Sequence, residues 1–443
     1  MTAAQTLATY GASLHDAPID PNVAHHTKRA IVDWYAALLP GAVEKPAILL
    51  EQALSEDIDH GHARLALGRP ATTRTAALIN GTAAHTVEVD DIYREAIFHP
   101  GAPTIAAALA LAQARKASGM QLIRGVIAGY EISTRVGAAL GREHYRYWHN
   151  TGTVGTFGAA AAAATLLGLD AAHYAHALCT AATFAAGLQQ AFRMDSMSKP
   201  LHAGHAAEAG LLAALAARQG VTGSLDVLDG EAGMGRAMSQ APDWQAATAT
   251  LGKAFHITRM TFKNHACCGH TFAPIDGALE LRSRMGVSWE ELQAIEVATY
   301  GPAIEVAGNF DPQTAAQARF SIPFVVATAL IHGRVRLSAF TPDRLADARI
   351  RALMSRIRLV TDPKLDAAFP GQRAAQITFT TQGGQQSSYL QPTRKGDPEQ
   401  PLTDADLSDK FMELAAPVVG NARAQTLLAN LWKLEHCENL QEL

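Results

Sequence analysis

The chain has 443 residues and 48% of them are hydrophobic, which favours two or three domains with a sizeable core. Its 37 Lys and Arg against 41 Asp and Glu give a formal net charge of −4, without the basic excess that a nucleic-acid-binding surface needs. Its four cysteines form no disulfide framework, which indicates a reducing compartment. The N-terminal residues have neither a basic start nor a continuous apolar run, so a cytoplasmic location is expected.

Alanine is distributed unevenly along the chain. Of 87 alanines, 60 lie in the first 250 residues and 27 in the remainder. Alanine is the strongest helix former and a weak strand former. The first part is therefore predicted to be largely helical, and the second part to be of a different kind.

Helices separated by polar breaks are predicted along the first 120 residues. One covers residues 24–39 and ends at a Pro-Gly pair, and another covers residues 75–89. A third begins near Pro103, which suits a first helical turn, and ends by Gly119.

The stretch 147–169 has no Asp, Glu, Lys or Arg and is long enough to cross a bilayer. It consists largely of Gly, Thr and Ala, includes six consecutive alanines, and contains His149 and Asn150. Such a helix is better buried among other helices than placed in lipid. No membrane partner is expected.

After Gly252 the pattern changes to that of an α+β module. Alternation typical of half-buried strands predicts strands over 294–300, 357–361 and 375–381. Helices are expected between them, over 315–333 and 342–355. A polar segment, 391–401, then leads into two final helical stretches. The chain is therefore expected to return to its helical part at the end.

Several common catalytic motifs are absent from the sequence. It has no GxxxxGK[ST], HExxH, GxSxG or CxxC motif, and the glycine spacing in residues 152–158 does not match GxGxxG. Nucleotide-binding, zinc-protease and serine-hydrolase functions thus have no support. The remaining candidates are histidines, lysines and acids.

The first such cluster is HTVEVDDIYREAIFHPG, residues 85–101. His85, Glu88 and Asp91 are spaced by three and would share a face of a continued helix, either as solvated carboxylates or as part of a metal site. In the catalytic alternative, Asp91 orients the imidazole of His99 in the loop after the helix.

Two further clusters lie at predicted helix starts. His149 precedes the glycine- and threonine-rich start of a helix, where free backbone N–H groups favour binding of an anion. Alternatively, the His149 side chain caps the neighbouring backbone. Lys199 and His202 begin an alanine-rich helix, where a lysine is either solvated or faces something negative such as a substrate carboxylate.

The fourth cluster, FKNHACCGHTFAPIDG (262–277), contains Lys263, two histidines and adjacent cysteines. Adjacent cysteines rarely both reach one ion, and no second ligand pair occurs at a suitable spacing, so zinc is not expected. The cluster lies where the composition changes, at a predicted domain junction, where ligand sites are common.

Taken together, six stretches resemble the MmgE/PrpD family, which includes 2-methylcitrate dehydratase, cis-aconitate decarboxylase and iminodisuccinate epimerase. They occur in family order and span most of the chain: EVDDIYREAIFHPGAP (88–103), HNTGTVGTFGAAAAAA (149–164), SKPLHAGHAAEAGLLAALAARQGVTG (198–223), FKNHACCGH (262–270), ARFSIPFVVATAL (318–330) and RKGDPEQPL (394–402).

The resemblance implies a mainly α fold with an α+β second domain. A large all-helical domain would be built from both chain ends, 1–265 and 395–443, and a smaller α+β lid domain would cover 266–394. It further implies a homodimer that needs no metal or organic cofactor. The expected substrate is a small di- or tricarboxylate, bound in a cleft between the domains.

The resemblance also assigns site residues. The expected catalytic residues are Asp91, His99, His149, Lys199 and Lys263, and the expected substrate-binding residues are Asp90, His202, His265, His270 and Tyr300. The shared chemistry is removal of the proton next to a carboxylate, which needs a base and concentrated positive charge. In this hypothesis His99 or His149 exchanges the proton, and Asp91 orients a partner. Lys199 and Lys263, whose pKa values would be lowered by burial, hold the substrate carboxylates.

The family's reactions differ in the step after proton removal. In the dehydratase-like pattern the His-Pro pair is followed by Ser-Asp-Asn, whereas this sequence reads HPGAP and the chain is short for that branch. The predicted function is therefore an epimerase of an imino- or amino-dicarboxylate such as iminodisuccinate. The alternative is a lyase of the 2-methylcitrate dehydratase or cis-aconitate decarboxylase type.

Two hypotheses from other classes stay open. A pyridoxal-phosphate enzyme could use Lys199 for its Schiff base, although no phosphate-binding glycine loop is attached to a predicted strand upstream. A non-enzymatic helical scaffold would explain the alanines but not the histidine and lysine clusters at element junctions.

Overall fold

The computed structural model describes residues 1–192, 196–369 and 371–443. The chain forms two compact units: the first combines Met1–Phe262 with Thr403–Leu443, and the second is Lys263–Leu402. Within the described residues, the first unit is helical apart from one pair of short strands, and the second mixes helices with a four-stranded sheet. The prediction of a mainly α fold with an α+β part is confirmed.

The first stretch of the helical unit contains helices α1 to α11 and strands β1 and β2. The helices are Ala3–Ser13, Pro21–Ala42, Ala47–Ala53, Thr73–Thr86, Gly101–Arg115, Gly119–His144, Asn150–Leu166, Ala171–Phe184, Ser198–Arg218, Met234–Met238 and Trp244–Ala249, and the antiparallel strands are Ile58–Arg64 and Pro70–Ala71.

Two predicted helix ends differ from the structure. Helix α2 continues past the predicted end and contains Pro40 in its last turn, where the proline ring removes one backbone donor. Helix α4 ends at Thr86 rather than at residue 89, since Glu88 has a left-handed backbone with φ 62°. The idea that His85, Glu88 and Asp91 share a helical face is therefore wrong.

The alanine-rich helices form the core of this unit. Every residue of α7 is buried, and α7 packs against α6 and α9. A side chain at Gly129 of α6 would lie 2.6 Å from the carbonyl oxygen of Gly158 in α7, so these backbones approach too closely for a larger residue. Among the described residues, none of the helices combines the length and apolar character that a bilayer span requires.

The second unit contains helices α12 to α18 and strands β3 to β6. The helices are Phe272–Met285, Gly301–Ala307, Ala315–Ala318, Ile322–His332, Pro342–Leu345, Ala348–Met354 and Pro363–Ala368, and the strands are Leu292–Thr299, Ile357–Thr361, Ala375–Thr381 and Gln386–Gln391. The sheet order is β4-β3-β5-β6, with β3 parallel to β4 and the other pairs antiparallel.

The three predicted strands are present, but sequence patterns missed β6 and merged short helices. Strand β6 is mostly polar and sits at the sheet edge, so its apolar signal is weak. The helix predicted over 315–333 is two helices, because Ser321 caps α15 and Pro323 lies in its first turn. The helix predicted over 342–355 is likewise interrupted, at the N-cap Asp347.

The chain then returns to the helical unit. Helix α19 is Asp404–Val419 and helix α20 is Asn421–Trp432, and both pack against α2. The predicted pair of final helices is thus present, and the last segment of the sequence is part of the same compact unit as the first.

Candidate functional site

Four histidines from separate segments of the helical unit come together. His85 ends α4, His99 lies just before α5, His149 is the N-cap of α7, and His202 is in the first turns of α9. The ring centroid of His85 lies 4.8 Å from that of His99 and 5.4 Å from that of His149, and the His149 and His202 centroids are 5.2 Å apart.

A buried carboxylate joins two of these rings. Nδ1 of His85 donates to Oδ2 of Asp90 at 2.7 Å, and Nδ1 of His99 lies 3.2 Å from the same oxygen. Burial opposes ionisation of Asp90, but the neighbouring His99 and His85 hold its pKa well below the usual range. Because an ionised carboxylate only accepts, it favours a proton on each Nδ1, which leaves Nε2 of His99 for proton exchange.

The same three residues have the donor types of a metal site. One ligand atom from each of His85, Asp90 and His99 lies within 4.8 Å of the others. The Nδ1 atoms of both histidines face Oδ2 of the Asp90 carboxylate, so these contacts hold the three side chains together without an ion.

Asp91 has a different environment from Asp90. Its Oδ1 accepts from the backbone N–H of Gly101 at 3.0 Å, and its Oδ2 accepts from the hydroxyl of Tyr130 at 2.7 Å. Burial, with the nearby Asp33 charge, raises the pKa of Asp91 to about 8. Asp91 thus holds the start of α5, whereas the carboxylate that contacts His99 is Asp90.

His149 and His202 are both neutral at ordinary pH. Their Nδ1 atoms are 3.0 Å apart, so one ring donates to the other. Burial lowers the pKa of His149 well below its usual range, with the charges of His85 and Lys199 adding to the effect, and burial lowers the pKa of His202 to about 4. Within the described part of the chain, the side chain of His149 makes no capping bond to the backbone of α7, so its ring is oriented by the other histidines.

Lys199 lies in the first turn of α9 and forms an ion pair with Glu88. Burial opposes the charged form, but the Glu88 carboxylate overcomes this and raises the pKa of Lys199. The expectation that burial lowers this lysine's pKa towards neutrality is wrong, because the sequence did not show its acidic partner. Lys199 is a charged ammonium group at neutral pH and suits carboxylate binding rather than proton removal.

The other expected site residues lie in the second unit. Lys263 is buried at its start. His265 contacts Oδ1 of Asp276 through Nε2 at 2.9 Å, while the other oxygen of Asp276 accepts from the backbone N–H of Lys395 at 2.8 Å. These contacts tie the segment after Lys263 to the segment after β6 and give His265 a structural partner.

His270 and Tyr300 form a second, aromatic cluster. Nδ1 of His270 lies 2.8 Å from the Tyr300 hydroxyl, and the Tyr300 ring stacks on Phe369 with centroids 4.5 Å apart. Burial, with the charges of Arg373 and Arg394, lowers the pKa of His270 to about 4. A neutral imidazole surrounded by guanidinium groups is suited to hydrogen bonding near an anion.

Several residues of these clusters carry no local signal in the sequence. Tyr130 is in the middle of α6, and Arg373 precedes β5 in a short connection. Lys410, in α19, is buried and reaches the backbone next to Asp90. Their contacts depend on segments distant in sequence, so periodicity and motif spacing give no indication of them.

Comparison with known proteins gives matches over both parts of the chain. The model of the MmgE/PrpD N-terminal domain matches residues 5–247, and that of the MmgE/PrpD C-terminal domain matches residues 265–434. A cis-aconitate decarboxylase-like protein of Aspergillus oryzae is 27% identical over 99% of this chain and 95% of its own length.

Two further relatives carry a similar name. The cis-aconitate decarboxylase of Homo sapiens is 28% identical over 83% of this chain and 78% of its own length. The cis-aconitate decarboxylase of Aspergillus terreus is 24% identical over 96% of this chain and 92% of its own length.

Proposed function

Because the chain belongs to the MmgE/PrpD family and is an enzyme of the isomerase or lyase type, we propose that it removes carbon dioxide from a small tricarboxylate such as cis-aconitate. The three relatives are similar to the chain over most of its length, and each is named for this activity or its likeness. The epimerase predicted from the sequence has no support among them. Family membership overturns the scaffold alternative and gives no support to a pyridoxal-phosphate enzyme.

The reaction needs a single proton donor. In cis-aconitate, the bond between the CH₂ group and its carboxylate breaks and releases carbon dioxide. The electron pair spreads over the adjacent double bond and the carboxylate at its far end, and a proton adds to the far carbon. The product is a 2-methylene dicarboxylate, and one proton is consumed for each carbon dioxide released. The enzyme must therefore hold carboxylates and deliver one proton.

The observation that supports this function best is the placement of His99 beside Asp90. The side chain of His99 is 15% exposed, whereas that of Asp90 is only 1% exposed, so the anion stabilises a protonated ring from the buried side. We assign proton donation to His99 because the pKa of His149 is lowered well below its usual range by burial, which removes its acid form.

The remaining residues of this cluster bind and orient. Lys199 carries a positive charge and is partly exposed, so we propose that it binds a substrate carboxylate in competition with Glu88. His149 and His202 are neutral, and as hydrogen-bonding groups they would orient the same substrate. Lys263, His265, His270 and Tyr300 remain predicted site residues of the second unit, and the homodimer remains a prediction.

The test is to incubate the purified protein with cis-aconitate in deuterated water and to monitor the mixture by NMR. We expect new signals from a terminal methylene group, release of carbon dioxide, and one solvent deuterium in the product's saturated CH₂ group per turnover. Exchange of the α-proton of an iminodicarboxylate without loss of carbon would instead identify an epimerase. Folded protein that leaves cis-aconitate unchanged would refute the decarboxylase proposal.

A further inference from the structure

We propose that Lys410, near the C-terminal end of the chain, is a positioning residue for the histidine cluster, an inference that rests on the function proposed above. Lys410 lies in α19 and is buried. Its ammonium group donates to the backbone carbonyl of Val89, the residue immediately before Asp90, at 2.7 Å. It also donates to Oδ1 of Asp33 in α2 at 2.5 Å.

These groups are fully enclosed by protein. The side chains of Lys410 and Asp33 are 1% and 0% exposed. A buried ammonium group is strongly unfavourable unless its donors are matched, and here one carboxylate and one carbonyl accept from it. The ammonium group therefore has a fixed position, and it fixes the carbonyl of Val89 in turn.

The backbone held by Lys410 has no regular structure of its own. Helix α4 ends at Thr86, and Glu88 adopts the left-handed region, so helical hydrogen bonds do not hold residues 87–91. Within these five residues, Glu88 pairs with Lys199, Asp90 contacts two histidines, and Asp91 holds the start of α5. One shift of this turn would move all three carboxylates together.

Catalysis is sensitive to such a shift. An error of about 1 Å in the position of a catalytic group can lower the rate about 10²-fold. If Val89 is released, Asp90 moves relative to His85 and His99, and the orientation of the His99 ring is lost. We therefore expect Lys410 to affect turnover more than substrate binding.

The chain offers a matched control for the alternative that Lys410 only attaches the C-terminal helices. Lys28 in α2 is also largely buried, and it donates to the carbonyl of Trp432 at 3.0 Å and to Glu435 at 2.6 Å. It too joins α2 to the C-terminal segment, but Trp432 and Glu435 lie outside residues 87–91. The backbone that Lys410 holds belongs to the histidine cluster, whereas the backbone that Lys28 holds does not.

The experiment compares two neutralised pairs, Asp33→Asn/Lys410→Met and Lys28→Met/Glu435→Gln. Each removes a buried or half-buried ion pair without leaving a single unpaired charge. Thermal unfolding gives the stability of each variant, and the decarboxylation assay gives kcat and KM. For the Lys410 pair we expect kcat to fall about 10- to 100-fold, with KM changed less than about threefold. For the Lys28 pair we expect stability to fall while kcat is retained.

Equal kcat values in the Lys410 pair and in the parent protein would overturn the proposal, as would an equal loss in the Lys28 pair. A second readout does not need turnover: NMR of the ring N–H protons of His85 and His99. We expect these signals to shift in the Lys410 pair and to stay in place in the Lys28 pair. Unmoved signals would refute the positioning role, whereas an inactive parent protein would refute the proposed function.

Discussion

The two units each hold a partly enclosed histidine, but the charges around the two rings are opposite. In the helical unit, His99 lies beside the ionised carboxylate of Asp90. In the second unit, burial and the guanidinium group of Arg373 lower the pKa of His270 to about 4. A neighbouring anion favours the protonated ring and neighbouring cations favour the neutral one. The first environment therefore suits a proton donor, and the second suits a hydrogen-bonding group.

This difference shows that residue type alone does not assign a catalytic role. Both histidines lie in short segments next to a helix start, and both come from segments that resemble the same family. Their surroundings differ because Asp90 is brought to His99 by a tight turn, whereas Arg373 is brought to His270 by a strand of the sheet unit. Substitutions in and around the two rings can test this contrast.

The largest effect is expected from His99→Gln. Glutamine keeps a polar side chain of similar length but cannot donate a proton as an acid, so kcat should fall about 10²- to 10⁴-fold. The rate is measured by release of carbon dioxide from cis-aconitate. The control is His173→Gln, which removes an exposed histidine paired with Asp170 and should leave kcat unchanged. Retained activity in His99→Gln would mean that another residue donates the proton.

An intermediate effect is expected on the pH dependence of stability in Asp91→Asn. The folded-state pKa of Asp91, about 8, is above the unfolded value of about 4, so the folded protein retains a proton that the unfolded chain releases. This contribution to stability is present below about pH 4 and is lost as the pH rises to about 8.

Asparagine imitates the protonated acid and has no such dependence. Thermal unfolding at pH 5, 6, 7 and 8 should therefore show the parent protein losing stability relative to Asp91→Asn as the pH increases. Asp170→Asn is the exposed control, because the pKa of Asp170 is lowered rather than raised. A constant difference between the parent protein and Asp91→Asn across this range would mean that Asp91 is ionised in the folded state.

The smallest effect is expected from Arg373→Met in the second unit. Removing this cation should raise the pKa of His270 from about 4 only part of the way to its usual range, because burial and Arg394 still act on the ring. NMR titration of the His270 ring protons measures the change, with the signal assigned through His270→Gln. Arg358→Met, which changes an exposed arginine of strand β4, is the matched control. An unchanged pKa in Arg373→Met would assign the shift to burial and Arg394.

Local patterns predicted a large part of the fold. The uneven alanine distribution indicated the helical unit, and alternating residues located three of the four strands of the larger sheet. The patterns failed where a single residue interrupts a helix, as at Glu88 and at Ser321 before α15. These breaks depend on backbone conformation and capping bonds that hydrophobic periodicity does not record.

Motif spacing selected the segments that carry the histidines and Lys199, but it could not assign their partners. It paired His99 with Asp91, whereas the contact is made by the adjacent Asp90. The expectation of a buried lysine likewise predicted a lowered pKa for Lys199 without its partner Glu88, which is 111 residues away in sequence.

The sequence by itself determined most of the elements and the residue types available for chemistry, because helix and strand preferences act between residues close along the chain. Only the tertiary structure decided which charges are neighbours: Asp90 rather than Asp91 at His99, and Lys410 at the carbonyl of Val89 from 321 residues away. Electrostatic interactions depend on distance in space and on burial, and both arise only when separate helices pack together.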